Sequence, residues 1–476
     1  MTSRSSGPHR GQVPSPMGTE PTPGTASGGL RPPRRRAHGA AGLTSRSPSV
    51  LALAAPALVV LAAEPLYLLV DTAVVGNLGT VALGGLAVGG GLLAWAVALL
   101  NFLAYGTTAR AARRAGAGDR AGAVAEGVQA TWLALALGLA VLMLFQLLAG
   151  PLTRLLAGGD GPVAAAGESW LRVASLGAPL LLVSLAGNGW LRGVQELRRP
   201  MRYVLTGSLA SLVLCPLLVH PAGLGLVGSA VANVAGQALT AALFVRAVLR
   251  EDVSWRPRLT ALRAQLVIGR DLLLRAAVLQ VAFLVATGVV ARAGTAELGA
   301  HQIAIQLFFF LALVLDAYAI AAQTLVGQAL GAARPDVARD TARRVTLWGL
   351  GTGVVVAGVL LALRPVALPL FTDDPAVLAQ AAVAWWFLAG MQPLAGVVFA
   401  LDGVLMGAGD VAWLRTVTIA AALVGFLPFS LLSSRLGWGL PGVWTGLTLF
   451  IVLRLAAVAS RVAGEEWLHA TGTVDA

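Results

Sequence analysis

Four acids stand inside stretches of this chain that are otherwise apolar: Glu64, Asp71, Asp316 and Asp402. An ionisable group at the centre of a membrane-spanning helix costs ~2.5–3.5 kcal/mol and is seldom idle. Burial in hydrocarbon penalises the charged form of a carboxyl, so such an acid can bind and release a proton, or hold Na⁺, as its surroundings change. Glu64 and Asp71 are seven residues apart, about two helical turns, so they share nearly one face. Pro65 lies between them. It removes a backbone hydrogen bond and makes either a hinge or a static kink. Asp71 has no basic residue near it in sequence, which favours a functional role. Glu64 could instead only bond a neighbouring helix, and Asp402, close to a span end, could pair with an arginine there. His301, Gln302 and Gln306 stand together early in a later apolar run and are further cleft candidates. The bland reading of His301 is a hydrogen-bonded packing residue.

The elements that carry these residues occur twice. Val70-Asp71-Thr72-Ala73-Val74-Val75 through Leu83-Gly84 returns at a shift of 215 as Val285-Ala286-Thr287-Gly288-Val289-Val290 through Leu298-Gly299, with eight of sixteen residues identical from 70 to 85. At a shift of 214, Asn188-Gly189-Trp190-Leu191-Arg192-Gly193 answers to Asp402-Gly403-Val404-Leu405-Met406-Gly407. A fixed long period means two homologous halves, and in a membrane protein it points to a transporter with its site between repeats. The repeat also pairs the polar residues. Asp71 answers to Ala286, Asp316 to Asn101, and Asp402 to Asn188. Asn101 and Asn188 therefore join Asp71 and Glu64 as ion-coupling candidates in the first half.

The hydrophobic fraction is 57%, charged residues are 12%, and mean hydropathy is +0.79. A chain of 476 residues cannot hide that much apolar surface in water. Twelve apolar runs are long enough to cross ~30 Å of hydrocarbon as helices: roughly 50–75, 83–108, 122–149, 165–190, 201–220, 224–249, 271–292, 298–328, 340–363, 376–406, 413–432 and 440–462. They lack the two-residue alternation of a membrane β-barrel. Six spans per half is even, so the two halves enter from the same side as parallel repeats. The expected fold class is an all-α integral membrane protein of two pseudo-symmetric six-helix lobes.

All 34 basic residues are arginine. With a cytoplasmic N-terminus, only Arg154, Arg172, Arg292, Arg364 and Arg435 fall outside, a strong positive-inside bias. The net charge of +12 thus needs no nucleic acid to explain it. Both termini are expected in the cytoplasm, with the chain multi-pass in the cytoplasmic membrane. Residues 1–47 read as a disordered Arg/Pro-rich tail. Residues 48–249 read as the first lobe, 250–264 as a polar linker, 265–463 as the second lobe and 464–476 as a C-terminal tail. The lone Cys215 allows no intrachain disulfide. Without lysine there is no Walker A sequence, and no His/Cys cluster has zinc spacing. No cofactor or metal is expected, and an ion gradient is the natural energy source.

The stretch from Glu64-Pro65-Leu66-Tyr67 through Asp71 to Gly79 resembles the first helix of the multidrug and toxic compound extrusion (MATE) transporters, DinF-like branch. Leu298-Gly299-Ala300-His301-Gln302-Ile303 and Asp316 through Gly331 are similar to that family's helix eight. Trp190-Leu191-Arg192-Gly193 and Asp402 through Asp410 are similar to the inner ends of helices four and ten. The resemblance runs from about residue 50 to 460. It implies a V-shaped transporter that exports small organic compounds against inward H⁺ or Na⁺, with Asp71 as the coupling carboxylate. The family's helix five often carries Asn and Asp before a proline. Here Ser211 and Cys215 precede Pro216, so the second acid is absent and a simple proton site is implied ahead of a Na⁺ site. Pro65 would be the family's bending proline.

Two other readings compete. A flippase of lipid-linked precursors would want a strongly cationic cleft, and no arginine is expected mid-span. A membrane-embedded transferase would need a His/Asp or multi-acid cluster at one face, whereas Asp160, Glu168, Glu297, Asp373 and Asp374 are scattered. The expected protein is a monomeric H⁺- or Na⁺-driven antiporter in the lipid bilayer, not an enzyme.

Overall fold

The computed structural model describes residues 50–469, with side chains from Leu53 onward. The expected N-terminal tail and residues 470–476 lie outside the described residues. Fifteen α-helices follow one another: α1 (Val50–Gly76), α2 (Thr80–Leu100), α3 (Phe102–Gly116), α4 (Arg120–Ala157), α5 (Pro162–Ala174), α6 (Ala178–Gly193), α7 (Arg198–Val219), α8 (Gly225–Leu249), α9 (Leu259–Ala293), α10 (Thr295–Gly331), α11 (Pro335–Ala367), α12 (Pro375–Ala408), α13 (Val411–Ala421), α14 (Leu427–Leu436) and α15 (Gly439–Ala463). Three pairs are single spans with a local break. Asn101 separates α2 from α3, a 3₁₀ turn (Ser175–Gly177) separates α5 from α6, and a π-helical turn (Ala422–Phe426) separates α13 from α14. Twelve membrane-length spans result, and no strand occurs among the described residues.

Helix ends follow local chemistry. Asp119 and Asp374 accept from the backbone N–H of Gly122 and Ala376, each at 2.8 Å, and so start α4 and α12. Gly158 and Gly409 close the same two helices at φ 79° and 81°, a conformation that favours glycine. α1 runs unbroken through Pro56 and Pro65.

The linker expected over 250–264 is shorter than that, because α9 begins at Leu259. Its extended part docks on α4. Gln129 donates to the Arg256 carbonyl at 3.0 Å and accepts from the Arg258 N–H at 2.7 Å, while Trp132 Nε1 donates to the Trp255 carbonyl at 2.8 Å. Past α15 the chain stays packed as far as Trp467, which is buried and donates to the Val462 carbonyl at 3.0 Å.

The two halves make equivalent contacts. A Cβ on Gly189 of α6 would press on the Ala104 carbonyl of α3, and one on Gly403 of α12 on the Ala319 carbonyl of α10. Between halves, a Cβ on Gly116 would meet the Gln328 carbonyl and one on Gly331 the Arg113 carbonyl. Gly116 and Gly331 are repeat partners, as are Arg113 and Gln328, so the lobes meet by a pseudo-two-fold exchange. This meeting lies at the arginine-rich end, next to Arg110, Arg113 and Arg114. One apolar core there draws on both lobes (Leu103, Leu133, Val326, Leu405). Toward the other end the lobes have separate cores, around Phe145 and Trp170 in the first and around Trp385 and Phe450 in the second.

Candidate functional site

The first lobe lines a half-open cavity of about 830 Å³. Its walls come from α1, α2, α3, α5, α6, α7 and α8, and most of them are aliphatic or glycine. Among the polar groups that enter are Glu64 and Tyr67 from α1, Asn101 at the α2–α3 break, Asn188 and Arg192 from α6, Ser211 from α7, and Asn233, Gln237 and Thr240 from α8. Glu64 and Arg192 are the two ionisable carboxyl or guanidinium groups in that lining. Glu64 is exposed and lines the cavity. Asn188 is 5% exposed, and its Oδ1 has no hydrogen-bond partner among the described residues.

Asp71 shares the helix face of Glu64 but does not line the cavity. It is fully buried, one layer behind the wall. The Cys215 thiol of α7 donates to its Oδ1 at 3.2 Å, and its Oδ2 has no hydrogen-bond partner among the described residues. Ser229 of α8 stands near, with its hydroxyl accepting from Trp170 Nε1 at 3.2 Å. Tyr67 sits between the two acids, 3% exposed, its hydroxyl also without a hydrogen-bond partner among the described residues. Ser211, the other residue of the altered helix-five pattern, lines the cavity and donates to the Ala232 carbonyl at 3.1 Å.

The second-half candidates do not join this site. Asp316 lies at the junction of the lobes, where the Tyr105 hydroxyl donates to its Oδ2 at 2.6 Å. Gln323 donates to the Tyr105 carbonyl at 2.7 Å and Gln328 to the Gly193 carbonyl at 2.9 Å. Arg113 also donates to the Ala408 carbonyl. These bonds bind α10 and α12 to α3 and α6. Asp402 is 3% exposed and accepts from both Arg275 and Arg454. The pairing expected for Asp402 is thus present, but the expectation that no arginine falls mid-span is wrong. Arg275 and Arg454 both lie well inside spanning helices. Both bond Asp402, which offsets one of their two charges, and neither lines the cavity of the first lobe. His301 is a packing residue, 2% exposed, edge-on to Trp444 and 3.3 Å from the Thr287 hydroxyl. Gln302 and Gln306 are exposed and belong to neither the cavity nor the lobe junction.

Reading the sequence alone missed Tyr67, Tyr105 and Arg192. Tyr67 falls on the Glu64–Asp71 face and was within reach of helical spacing. Arg192 was absorbed into the topology bias, although its repeat partner Met406 carries no charge. Nothing local marks Tyr105.

The comparisons with known proteins agree with this architecture. The MatE family model matches twice, over residues 56–217 and 272–431, once in each half. "Protein DETOXIFICATION 44, chloroplastic" of Arabidopsis thaliana is 31% identical over 87% of this chain and 81% of its own length. "DNA damage-inducible protein F" of Escherichia coli K12 is 31% identical over 90% of this chain and 94% of its own. A crystal structure of MATE in the straight conformation superposes with TM-score 0.80 at 22% identity, over 87% of this chain and 95% of that one.

Proposed function

We propose a mechanism on the premise that this chain belongs to the MatE family. As a member it is a multi-pass membrane transporter of small toxic compounds and not an enzyme. The finer reading is ours. The protein is a secondary antiporter that expels organic compounds in exchange for protons, by alternating access of two lobes. Its arginine-rich end faces the cytoplasm, by the positive-inside rule. It works as a monomer, with the cavity and Asp71 supplied by the same lobe.

The observation that carries this reading is Asp71, buried directly behind the cavity wall with one thiol donor and no arginine ion pair among the described residues. An ionised carboxylate in that setting would carry a large desolvation cost, so a charge-neutralising partner belongs with it. The donor set suits a proton. A thiol is a soft group, and hard cations such as Na⁺ prefer a cage of oxygens. Proton arrival, by way of the cavity-exposed Glu64, stabilises the packing of α1 against α7 and α8. Proton loss loosens it. An organic molecule in the cavity needs only to prefer the loosened arrangement for the two events to exclude each other, because coupling requires nothing beyond differential affinity for two states.

The test is dye transport by purified protein in proteoliposomes under an imposed pH gradient or an imposed Na⁺ gradient. Wild type should respond to the pH gradient, and Asp71→Asn should not. Transport by Asp71→Asn at the wild-type rate would remove Asp71 from the mechanism. A response to Na⁺ alone would replace the proton.

A further inference from the structure

We infer that the cavity recognises an organic anion or zwitterion, and that Arg192 is the residue that holds the substrate's carboxylate. This rests on the exporter reading above and names the class of molecule exported. Arg192 is 5% exposed, yet it lines the cavity. No hydrogen bond or ion pair joins its side chain to a described residue. The fully buried arginines elsewhere in the fold are satisfied differently. Arg110 meets both oxygens of Glu126, at 2.6 and 2.9 Å, and Arg454 bonds Asp402. A guanidinium has five N–H donors and cannot be discharged, so leaving it buried without an acceptor is costly.

The groups that face it do not remove the demand. Asp316 and Tyr105 are its electrostatic neighbours. They are already bonded to each other at 2.6 Å, and neither is within ion-pair or hydrogen-bond distance of it. Asn188, one turn earlier on α6, has an unpartnered Oδ1, an acceptor that an N–H or O–H group of the substrate would satisfy. The rest of the cavity is mostly aliphatic or glycine wall with Trp170 and scattered neutral polar groups such as Asn101, Ser211, Asn233 and Gln237, and its size suits a drug-like molecule. Glu64 supplies the single opposite charge, on another helix. A molecule with a hydrophobic body, a carboxylate toward Arg192 and, optionally, a cation toward Glu64 matches the two charged groups of the lining.

The repeat argues that Arg192 is not part of the shared scaffold. Its partner in the second half is Met406, on the same helix turn beside the same glycines. The competing role is that of a basic residue at a helix C-terminus, favoured by the helix dipole. That role predicts no discrimination between ligands.

The experiment compares rhodamine 110, which has a free carboxylate, with rhodamine 123, its methyl ester. Binding to the purified full chain is read by fluorescence anisotropy. Wild type should bind the acid about tenfold or more tightly than the ester, the scale of one charge-assisted hydrogen-bond pair. Arg192→Gln should lose that preference and leave the ester's affinity within about twofold, and Arg192→Lys should keep part of it. Equal binding of acid and ester by wild type overturns the inference and needs no variant. So does an Arg192→Gln protein that loses both dyes equally, since that is a structural effect. Proton-driven efflux of the two dyes from wild-type proteoliposomes separates this claim from its premise. If the ester is moved without any preference for the acid, only the role of Arg192 falls. If neither dye is moved, the exporter reading falls and takes this inference with it.

Discussion

Removing one hydroxyl, in Tyr105→Phe, should open the arginine-rich end. The Tyr105 hydroxyl donates to Asp316 Oδ2 at 2.6 Å and links α3 of the first lobe to α10 of the second. A hydrogen bond to a charged acceptor contributes about 1.5–3 kcal/mol. That bond exists only while the lobes are together, whereas water can satisfy Asp316 once they part. The open population should therefore rise roughly 10- to 150-fold, at about 1.4 kcal/mol per factor of ten. A cysteine at Ala109 can report it, because that residue is 5% exposed at the closed junction. Cys215 is the chain's single cysteine, so a Cys215→Ala background leaves only the reporter. The rate of alkylation by a bulky maleimide then follows the open fraction. An alkylation rate in Tyr105→Phe within twofold of the matched Tyr105 protein would refute the view that this bond helps hold the lobes together.

Two more outcomes follow from packing and charge. Asp402→Asn leaves Arg454, 4% exposed, without its carboxylate; breaking one partner out of a buried ion pair costs about 3–5 kcal/mol, so the thermal unfolding midpoint should fall by several degrees, and an unchanged midpoint would mean the cluster contributes nothing. Gly331→Val puts a side chain onto the Arg113 carbonyl; the junction should fail to close, with faster alkylation at the Ala109 reporter and loss of transport, and a wild-type transport rate would exclude this closure from the cycle.

The twelve spans and the two halves were legible because hydrocarbon leaves few options. Each crossing needs about 20 apolar residues with every backbone group bonded internally. Helix starts were harder. α9 begins at Leu259, six residues before the expected lobe boundary, because its first turns carry Arg263 and Gln265 and look like loop. Acids in apolar runs were conspicuous for the same reason the spans were. What each acid bonds was not legible, since partners lie far along the chain. Asp71 and Cys215 are 144 residues apart, Tyr105 and Asp316 211, and Asp402 is 127 from Arg275. The one long-range rule available, the repeat, relates equivalent residues and not touching ones.

The repeat explains instead why the two halves differ in use. Arg275, Asp402 and Arg454 correspond to Val60, Asn188 and Thr240 at shifts of 215, 214 and 214. All three of the first-half residues line the cavity. The same region of the duplicated fold is thus open space in one lobe and an ion cluster in the other. In the second lobe both guanidinium groups meet one carboxylate, which offsets one of the two positive charges and ties the helices together. In the first lobe Asp71 and Arg192 are buried and each lacks an ion-pair partner among the described residues, while the exposed Glu64 faces the cavity. Unpaired buried charge is costly, and that cost is what an arriving proton or a bound organic ion can relieve. Such relief is the differential affinity that coupling needs. On the proposed mechanism, the half whose helices this cluster ties together serves as the wall against which the other half responds.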